Sequence, residues 1–571
     1  MYNIFMVKLR IGVFAFLIIL FLIFSFYPTI FEIKMGNKLA DPNREFVLEH
    51  NYYFPDFNLY LSKIRQGFEG HWTAQELFTS EIHKGSLIQE FYIVLGQLGR
   101  VLGVQPNESY QLCRLILSPL LLGIILTLSL YFFRSLKWQI LSFLIIVISG
   151  SFPRIYESTP GNIAVGRYME WWSNIDSLQR ITFIPHILFG QVISFFLLYH
   201  LILNIKNLTI KRIIFYSTLG NLVGFVFPPS LITLNATIVL LAVFKVIKPL
   251  LRSGKIFKSD LINVKCLMLF IVCSLPSLLY FFIITKQVPW STLIISHKLH
   301  PMLIPLDQYI LGLGPVFFLG SAGTILSIMK RDIKFRPLIL FIITNLGFAS
   351  LFSIIREQSP LRFTQTGLFI PLGILGTYFL KEIWEKTRNP KPETQNLSVA
   401  LLLKFCFMLF VICYLFINLL IMKTSFDWQI NWITQKINAN VPLVPYPPQS
   451  MYPLSDWMDG IRWLKINTKS DDVVLAEVTA SNYIPAYSGN TVYFGQLNTV
   501  NYEKKEIEAK NFLKGVLTVS EAENLLKNGR IKYIFYSVQE KETSKNLDLI
   551  KTYPFLKSVY NNQNVEIFRV S

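Results

Sequence analysis

IGVFAFLIILFLIFSFY, Ile11 to Tyr27, holds no charge and only one hydroxyl-bearing serine, with Lys8 and Arg10 directly before it. A run this long and this apolar, flanked by cations, reads as a helix that crosses a bilayer. No small-x-small cleavage site follows; the next residues are Pro28, Thr29 and Ile30, so an uncleaved first span is expected rather than a signal peptide. The rest of the chain repeats the pattern. Of 571 residues, 52% are hydrophobic and only 16% charged, against about 25% charged in an ordinary soluble domain. The mean hydropathy is +0.44.

Apolar runs predict about eleven spans, near 10–28, 112–133, 138–153, 182–204, 213–229, 231–247, 266–285, 308–329, 337–354, 366–381 and 398–422. The formal net charge of +19 sits mainly in short loops between them: Arg134 and Lys137; Lys206, Lys211 and Arg212; Lys245 to Lys258; Lys330 to Arg336; Lys381 to Lys391. Every second loop carries these cations, so the positive-inside rule explains the charge and nucleic acid is not an expected partner. Parity then places the N-terminus in the cytoplasm of a plasma-membrane protein and the C-terminal part outside. All five cysteines lie in apolar runs without metal-ligand spacing, which excludes a disulfide framework and a cysteine zinc site.

The fold class is therefore a polytopic α-helical membrane protein with a small C-terminal extracytoplasmic α/β domain. Its expected divisions are 1–422 for the membrane part, with a long first external loop at 29–111; a linker at 423–454, rich in proline and polar residues over Asn438 to Pro453; and the α/β domain at 455–571. Long connections between packed elements are usually functional. The first loop predicts helices over Asp56 to Phe68 and Ser86 to Leu102. In the C-terminal part, Ser455 or Asp456 caps a helix through Trp463 to Ile466, Val473 to Val478 and Lys532 to Tyr536 read as strands, and a helix runs through Ala522 and Leu526.

There is no P-loop, no G-x-G-x-x-G and no G-x-S-x-G elbow; Gly312-Leu313-Gly314 lies inside a predicted span. Polar residues gather instead in Glu49 to His83, EHNYYFPDFNLYLSKIRQGFEGHWTAQELFTSEIH. Arg114 stands at the external end of the second span, Arg180 and His186 at the start of the fourth, and Arg362 at a later external turn. Cations that close to hydrocarbon are costly unless paired or lining a cavity. A carboxylate accepts a proton from a hydroxyl, and arginine grips a phosphate bidentately. Together these are the parts needed to move a sugar off a lipid-linked phosphate.

Several short motifs then resemble the GT-C superfamily of membrane glycosyltransferases, which use polyprenyl-phosphate sugars. The likeness is to the branch of protein mannosyltransferases, aminoarabinose transferases and rhizobial galacturonosyl transferases. It rests on Asp56 to Tyr60 with Gln66-Gly67, His83, Arg114-Leu115, Arg180-Ile181-Thr182-Phe183 with His186, Phe227-Pro228-Pro229-Ser230 and Arg362-Phe363. The tail adds Trp463-Leu464-Lys465-x-Asn467-Thr468 and Ile484-Pro485-Ala486-Tyr487-Ser488-Gly489. The resemblance implies Asp56 as catalytic base or acceptor-positioning group. It implies Tyr60, His83, Arg114, Arg180, His186 and Arg362 as substrate-binding residues, and a polyprenyl-phosphate sugar as donor. A glycan, lipid or protein would be the acceptor, in cell-envelope assembly, with inversion at the anomeric carbon. A divalent metal is allowed but not implied, because Phe57 stands where many relatives carry a second acidic residue.

Each residue has a structural alternative. Asp56 is also a favoured helix N-cap. His83 reads as a hydrogen-bonded loop residue, and Arg362 as an anchor snorkelling to the headgroups. Glu69 and Glu76 read as solvated loop acids, and Tyr52, Tyr53, Phe54 and Trp72 as an interfacial belt. Two other functions remain open at this level: a transporter or lipid flippase, and a non-catalytic membrane scaffold.

Overall fold

A computed structural model describes residues 2–50, 54–203, 205, 208–253, 258–356, 358–388, 397–439 and 452–571. Most of the linker at 438–453 lies outside these residues, as do Tyr52, Tyr53, Lys206, Lys255 and Lys391.

Among the described residues, seven helices are long and apolar enough to cross a membrane, or eight if one bent pair counts as a single span. The seven include Lys8–Lys38, Pro106–Phe132, Pro185–Leu203 and Leu401–Ile437. The predicted spans at 138–153, 213–229 and 366–381 are also helices, Leu136–Ile148, Ile210–Val226 and Phe369–Arg388, but fall outside that set. The predicted span at 308–329 is not one rod. Helices Leu306–Leu313 and Pro315–Met329 meet at an angle of 88°. Pro315 has no amide hydrogen to continue the first helix. Gly314, at φ +70°, takes the left-handed turn, and a Cβ there would lie 2.0 Å from the carbonyl oxygen of Gly150.

The chain divides into two compact units. One holds 1–27, 114–278 and 301–428; the other holds 28–113, 279–300 and 429–571. The second unit is thus larger than 455–571, because it takes in the first long loop.

In the first unit, β1 (Pro153–Thr159) and β2 (Asn162–Arg167) form an antiparallel hairpin within the second long loop. Helices Pro315–Met329 and Phe369–Arg388 pack closely, because Gly320 and Gly323 let the backbone at Leu372 and Leu375 approach.

The second unit is built on a five-stranded sheet. Its strands are β3 (Val473–Leu475), β4 (Thr491–Val492), β5 (Ile531–Tyr536), β6 (Leu556–Asn561) and β7 (Glu566–Val570), in the order β4-β3-β5-β7-β6. β3 runs parallel to β4 and β5, while β7 is antiparallel to β5 and β6. Successive strand side chains face opposite ways, so two cores form. Val474, Phe535 and Ile567 pack with Trp457 and Tyr483. Val473, Leu475, Ile534 and Phe568 pack with Phe512 and Tyr553. The first long loop joins the β4 edge: Val492 N–H donates to Leu77 O at 2.8 Å, and Thr79 bridges Phe494.

Within the same unit, helices Phe54–Phe68 and Glu90–Leu102 cross at two glycines. A Cβ on Gly96 would lie 1.9 Å from Ile64 O, and one on Gly67 would lie 2.0 Å from Ile93 O. Gly96→Val is therefore expected to cost about 1–3 kcal/mol through overpacking, read as a lower melting temperature in detergent. An unchanged melt would mean that the helices separate freely.

Glu90 opens the second of these helices with Oε2 buried and without a hydrogen-bond partner among the described residues. Burial pushes its carboxyl up from 4.5 to about 7. The folded chain then holds this proton more tightly than the unfolded one, so stability falls as pH rises from 4.5 to about 7. Partial exposure screens the effect to roughly 1 kcal/mol. Glu90→Gln should melt higher than the native chain at pH about 8 and alike at pH about 4; a variant that melts lower at the higher pH contradicts this.

Candidate active site

In the first unit, the four-residue helix Leu361–Thr364 carries Arg362. So short a helix does not hold itself, and four side chains clamp it. Trp172 Nε1 donates to Thr364 Oγ1 at 2.9 Å and Asn174 Nδ2 to Thr364 O at 2.8 Å. Asn345 Nδ2 donates to Phe363 O at 2.7 Å, and Gln191 Nε2 to Gln365 O at 2.6 Å. Asn174, Gln191 and Asn345 are buried, so these bonds are costly to leave unmade.

Beside the turn, His186 is the second residue of helix Pro185–Leu198, edge-on to Phe227 at 5.9 Å and within electrostatic reach of Arg362. Both side chains are half-buried. Arg114 is 2% exposed. Its Nε and Nη2 donate to Thr182 O at 2.9 and 2.7 Å, and its guanidinium lies 5.6 Å from the Phe26 ring centre. Arg114 thus holds the segment that delivers His186.

Arg180 has another task. Its hydrogen bonds go to backbone carbonyls: Ser149 at 2.7 Å, Ile146 at 3.3 Å and Val147 at 3.4 Å, with Asn174 and Ile175 on the other nitrogen. The carbonyls of Ile146, Val147 and Ser149 are orphans at the end of helix Leu136–Ile148, where a cation is favoured by the helix dipole. The Phe369 ring centre lies 3.7 Å from the guanidinium carbon. A cavity of about 20 Å³, lined by Arg180, Gln191, Leu121 and Phe369 among others, opens here; it has room for about one water.

In the second unit, Asp56 lies in the first turn of helix Phe54–Phe68 and is exposed. The helix is fixed from the C-terminal side. Asn58 Nδ2 donates to Asn482 Oδ1 at 2.8 Å, and Arg65 Nε to Ala486 O at 2.7 Å, both on helix Val478–Tyr487. Tyr60 is buried and stacks on Tyr92 at 4.6 Å.

His83 closes its own loop. Its Nε2 accepts the Glu76 N–H at 2.9 Å, so Nδ1 carries the proton and donates to Glu81 O at 2.8 Å. Glu76 is not a solvated acid: it is 4% exposed and pairs with the buried Lys63 at 3.3 Å. Lys63 also meets the Trp290 ring at 6.0 Å. Trp72 is exposed and Glu69 pairs with Arg65 at 3.0 Å.

Among the described residues, no three His, Cys, Asp or Glu side chains group to hold a metal ion. Phe57, directly after Asp56, is buried edge-on to Tyr110 at 5.1 Å. The residues do not make a metal cradle, and no step is assigned to one.

The structure therefore brings Arg114, His186 and Arg362 onto one neighbourhood of the first unit, and Asp56 and Tyr60 onto one helix of the second. Sequence reasoning missed Asn174, Gln191, Asn345 and Asn482. For Gln191 and Asn345 the signal was present: each is a polar amide inside a predicted span, where it must find a partner.

No protein-family model matches the chain, and no curated protein is significantly similar in sequence. Solved structures are similar in fold. The apo oligosaccharyltransferase of Archaeoglobus fulgidus aligns at a TM-score of 0.52 and 12% identity, over 96% of this chain and 74% of that one. AglB from the same organism, in complex with an inhibitory peptide and a dolichol-phosphate, aligns at 0.50 and 12%, over 94% and 72%. Arabinofuranosyltransferase AftD from Mycobacteria aligns at 0.50 and 12%, over 96% of this chain and 40% of that one. The chain has the fold of the GT-C membrane glycosyltransferases.

Proposed function

We propose that the protein moves a sugar from a polyprenyl-phosphate carrier to an acceptor hydroxyl on the extracytoplasmic side of the cell membrane. The observation that carries this reading is the clamped Arg362 turn beside His186 in a GT-C fold. A preorganised guanidinium at such a turn suits a phosphate whose charge grows as the sugar departs. The dolichol-phosphate bound by a neighbour of the same fold supports a lipid-phosphate donor in general terms. We read Leu136–Ile148, Ile210–Val226 and Phe369–Arg388, and the bent pair as one span, as crossings beside the seven long apolar helices, eleven in this reading. An odd number sends the two ends of the chain to opposite sides.

Asp56 accepts the acceptor's hydroxyl proton. The freed oxygen attacks the anomeric carbon, and the carbon–oxygen bond to the phosphate breaks. Its electron pair stays on the phosphate, so the polyprenyl phosphate leaves with one more negative charge. Arg362, with His186 beside it, stabilises that charge, while Arg114 positions the His186 segment. Single displacement inverts the anomeric centre. Tyr60 and His83 keep the Asp56 helix and its following loop in shape, and Arg180 ties down the carbonyls beneath the Arg362 turn.

The test is transfer from a panel of polyprenyl-phosphate sugars by purified protein in liposomes. Arg362→Gln is expected to lower transfer about 10²–10³-fold, as removal of one oxyanion donor does, with unchanged melting. Full transfer by that variant would remove the phosphate role.

A further inference from the structure

The second unit contains a cleft of about 430 Å³, within the range that takes a small-molecule ligand. It lies between helices Tyr502–Leu513 and Val519–Asn528, with Ser80 and Glu81 of the first loop on its rim. None of the residues so far assigned to sugar transfer lines it.

Its lining decides what it could hold. Lys505 Nζ is the one buried cation, and its hydrogens are already used. It donates to Glu81 at 2.7 Å, to Ser80 Oγ at 3.1 Å and to Tyr493 O at 3.3 Å. An ammonium has three donors, so none remains for an incoming phosphate or carboxylate. The ionised lining side chains are Glu81, Glu508 and Glu521 against Lys504 and Lys505, three negative and two positive, a net charge of −1. That balance does not favour an anion.

The free hydrogen-bonding capacity is of another kind. The Asn511 and Asn528 carboxamides bond to no other described residue, so each offers a carbonyl acceptor and two N–H donors. Glu508 is held by the Tyr493 hydroxyl at 2.6 Å on one oxygen, while the other lies 3.8 Å from the Lys504 ammonium, beyond hydrogen-bond distance, and still has room to accept. The carboxylate of Glu81 is part-exposed while Lys505 fixes it. Leu517 and Leu525 supply an aliphatic patch among these polar groups. Fixed carboxylates and free amides around a small apolar patch match a molecule with many hydroxyls and aliphatic C–H faces. Sugar hydroxyls donate to the carboxylates and exchange bonds with the amides, while ring C–H groups cover the leucines.

We propose that this cleft binds a neutral oligosaccharide and so recognises a glycan acceptor. The acceptor role rests on the transfer reading above; the binding itself does not.

Full-length protein in nanodiscs or in a detergent without sugar headgroups is titrated with maltotriose, mannotriose, triacetylchitotriose, a polyalanine peptide and inorganic phosphate, and binding is read by saturation-transfer NMR. At least one trisaccharide is expected to bind. The double variant Asn511→Leu, Asn528→Leu should weaken it tenfold or more, with Glu523→Gln, an exposed site outside the lining, unchanged. Asp56→Asn should keep the binding while losing transfer. The proposal fails if no trisaccharide binds, if only the peptide or phosphate binds, or if the double variant binds sugar as before. Transfer that persists alongside such a failure would leave the reaction standing and remove the cleft alone.

Discussion

Asp56→Asn is expected to lose transfer about 10²–10⁴-fold, the usual contribution of a positioned general base. The substitution keeps the shape of the side chain and removes its charge and its basicity. Asp56 is exposed, so the substitution opens no cavity in the core. The loss of a negative charge in the first turn of helix Phe54–Phe68 costs about 0.3–1 kcal/mol. Activity and stability therefore separate the two roles open to this residue. A base gives a large loss of turnover with near-native melting. A helix-starting residue alone gives a small loss of melting temperature with turnover kept, and that outcome would take away the reaction as written. Asp56→Glu, which keeps the carboxylate on a longer stem, should recover part of the lost rate.

The largest loss of stability is expected from Lys436→Met. Lys436 Nζ sits 2.6 Å from Glu49 and 3.7 Å from Glu32, and all three side chains are 3% exposed or less. The Tyr452 hydroxyl donates to Glu32 at 2.8 Å and the Tyr483 hydroxyl to Glu49 at 2.7 Å. Burial first, then the neighbouring carboxylates, pushes both phenols up, so they remain donors at any physiological pH. Two buried carboxylates share one ammonium. Removing it leaves both charges unmatched, and breaking a buried pair by deleting one partner costs about 3–5 kcal/mol. The measurement is reversible unfolding in mixed micelles. Lys436→Met combined with Glu49→Gln should recover part of the loss, because it removes a stranded charge. A single-variant cost below about 1 kcal/mol would show that water reaches the cluster. The cluster ties the start of the first long loop, the end of helix Leu397–Ile437 and helix Val478–Tyr487. That last helix holds Asn58, two residues from Asp56, so the same variant should also lower turnover.

Local pattern settled much of this protein. Apolar runs of span length announce membrane helices wherever they occur, because bilayer thickness dictates their length. The helix carrying Asp56, the helix through Ala522 and Leu526, and the strand ending at Tyr536 were each readable from neighbours along the chain. The proposed carboxylate-and-arginine chemistry was likewise argued from residue type and place along the chain. Other features depend on residues far apart in sequence. Glu76 reads as a loop acid until Lys63, thirteen residues before it, is folded against it. Arg180 and Arg362 are both arginines at helix boundaries. One spends its donors on the carbonyls of a distant helix end, while the other is carried on a turn held by amides from three other segments. The strand pair β6–β7 and its antiparallel place beside β5 likewise follow from pairing that no periodicity specifies. Hydrophobic period and helix length are properties of one segment and so are legible in it. Which buried polar group meets which partner is decided only when the chain closes on itself and removes water from both.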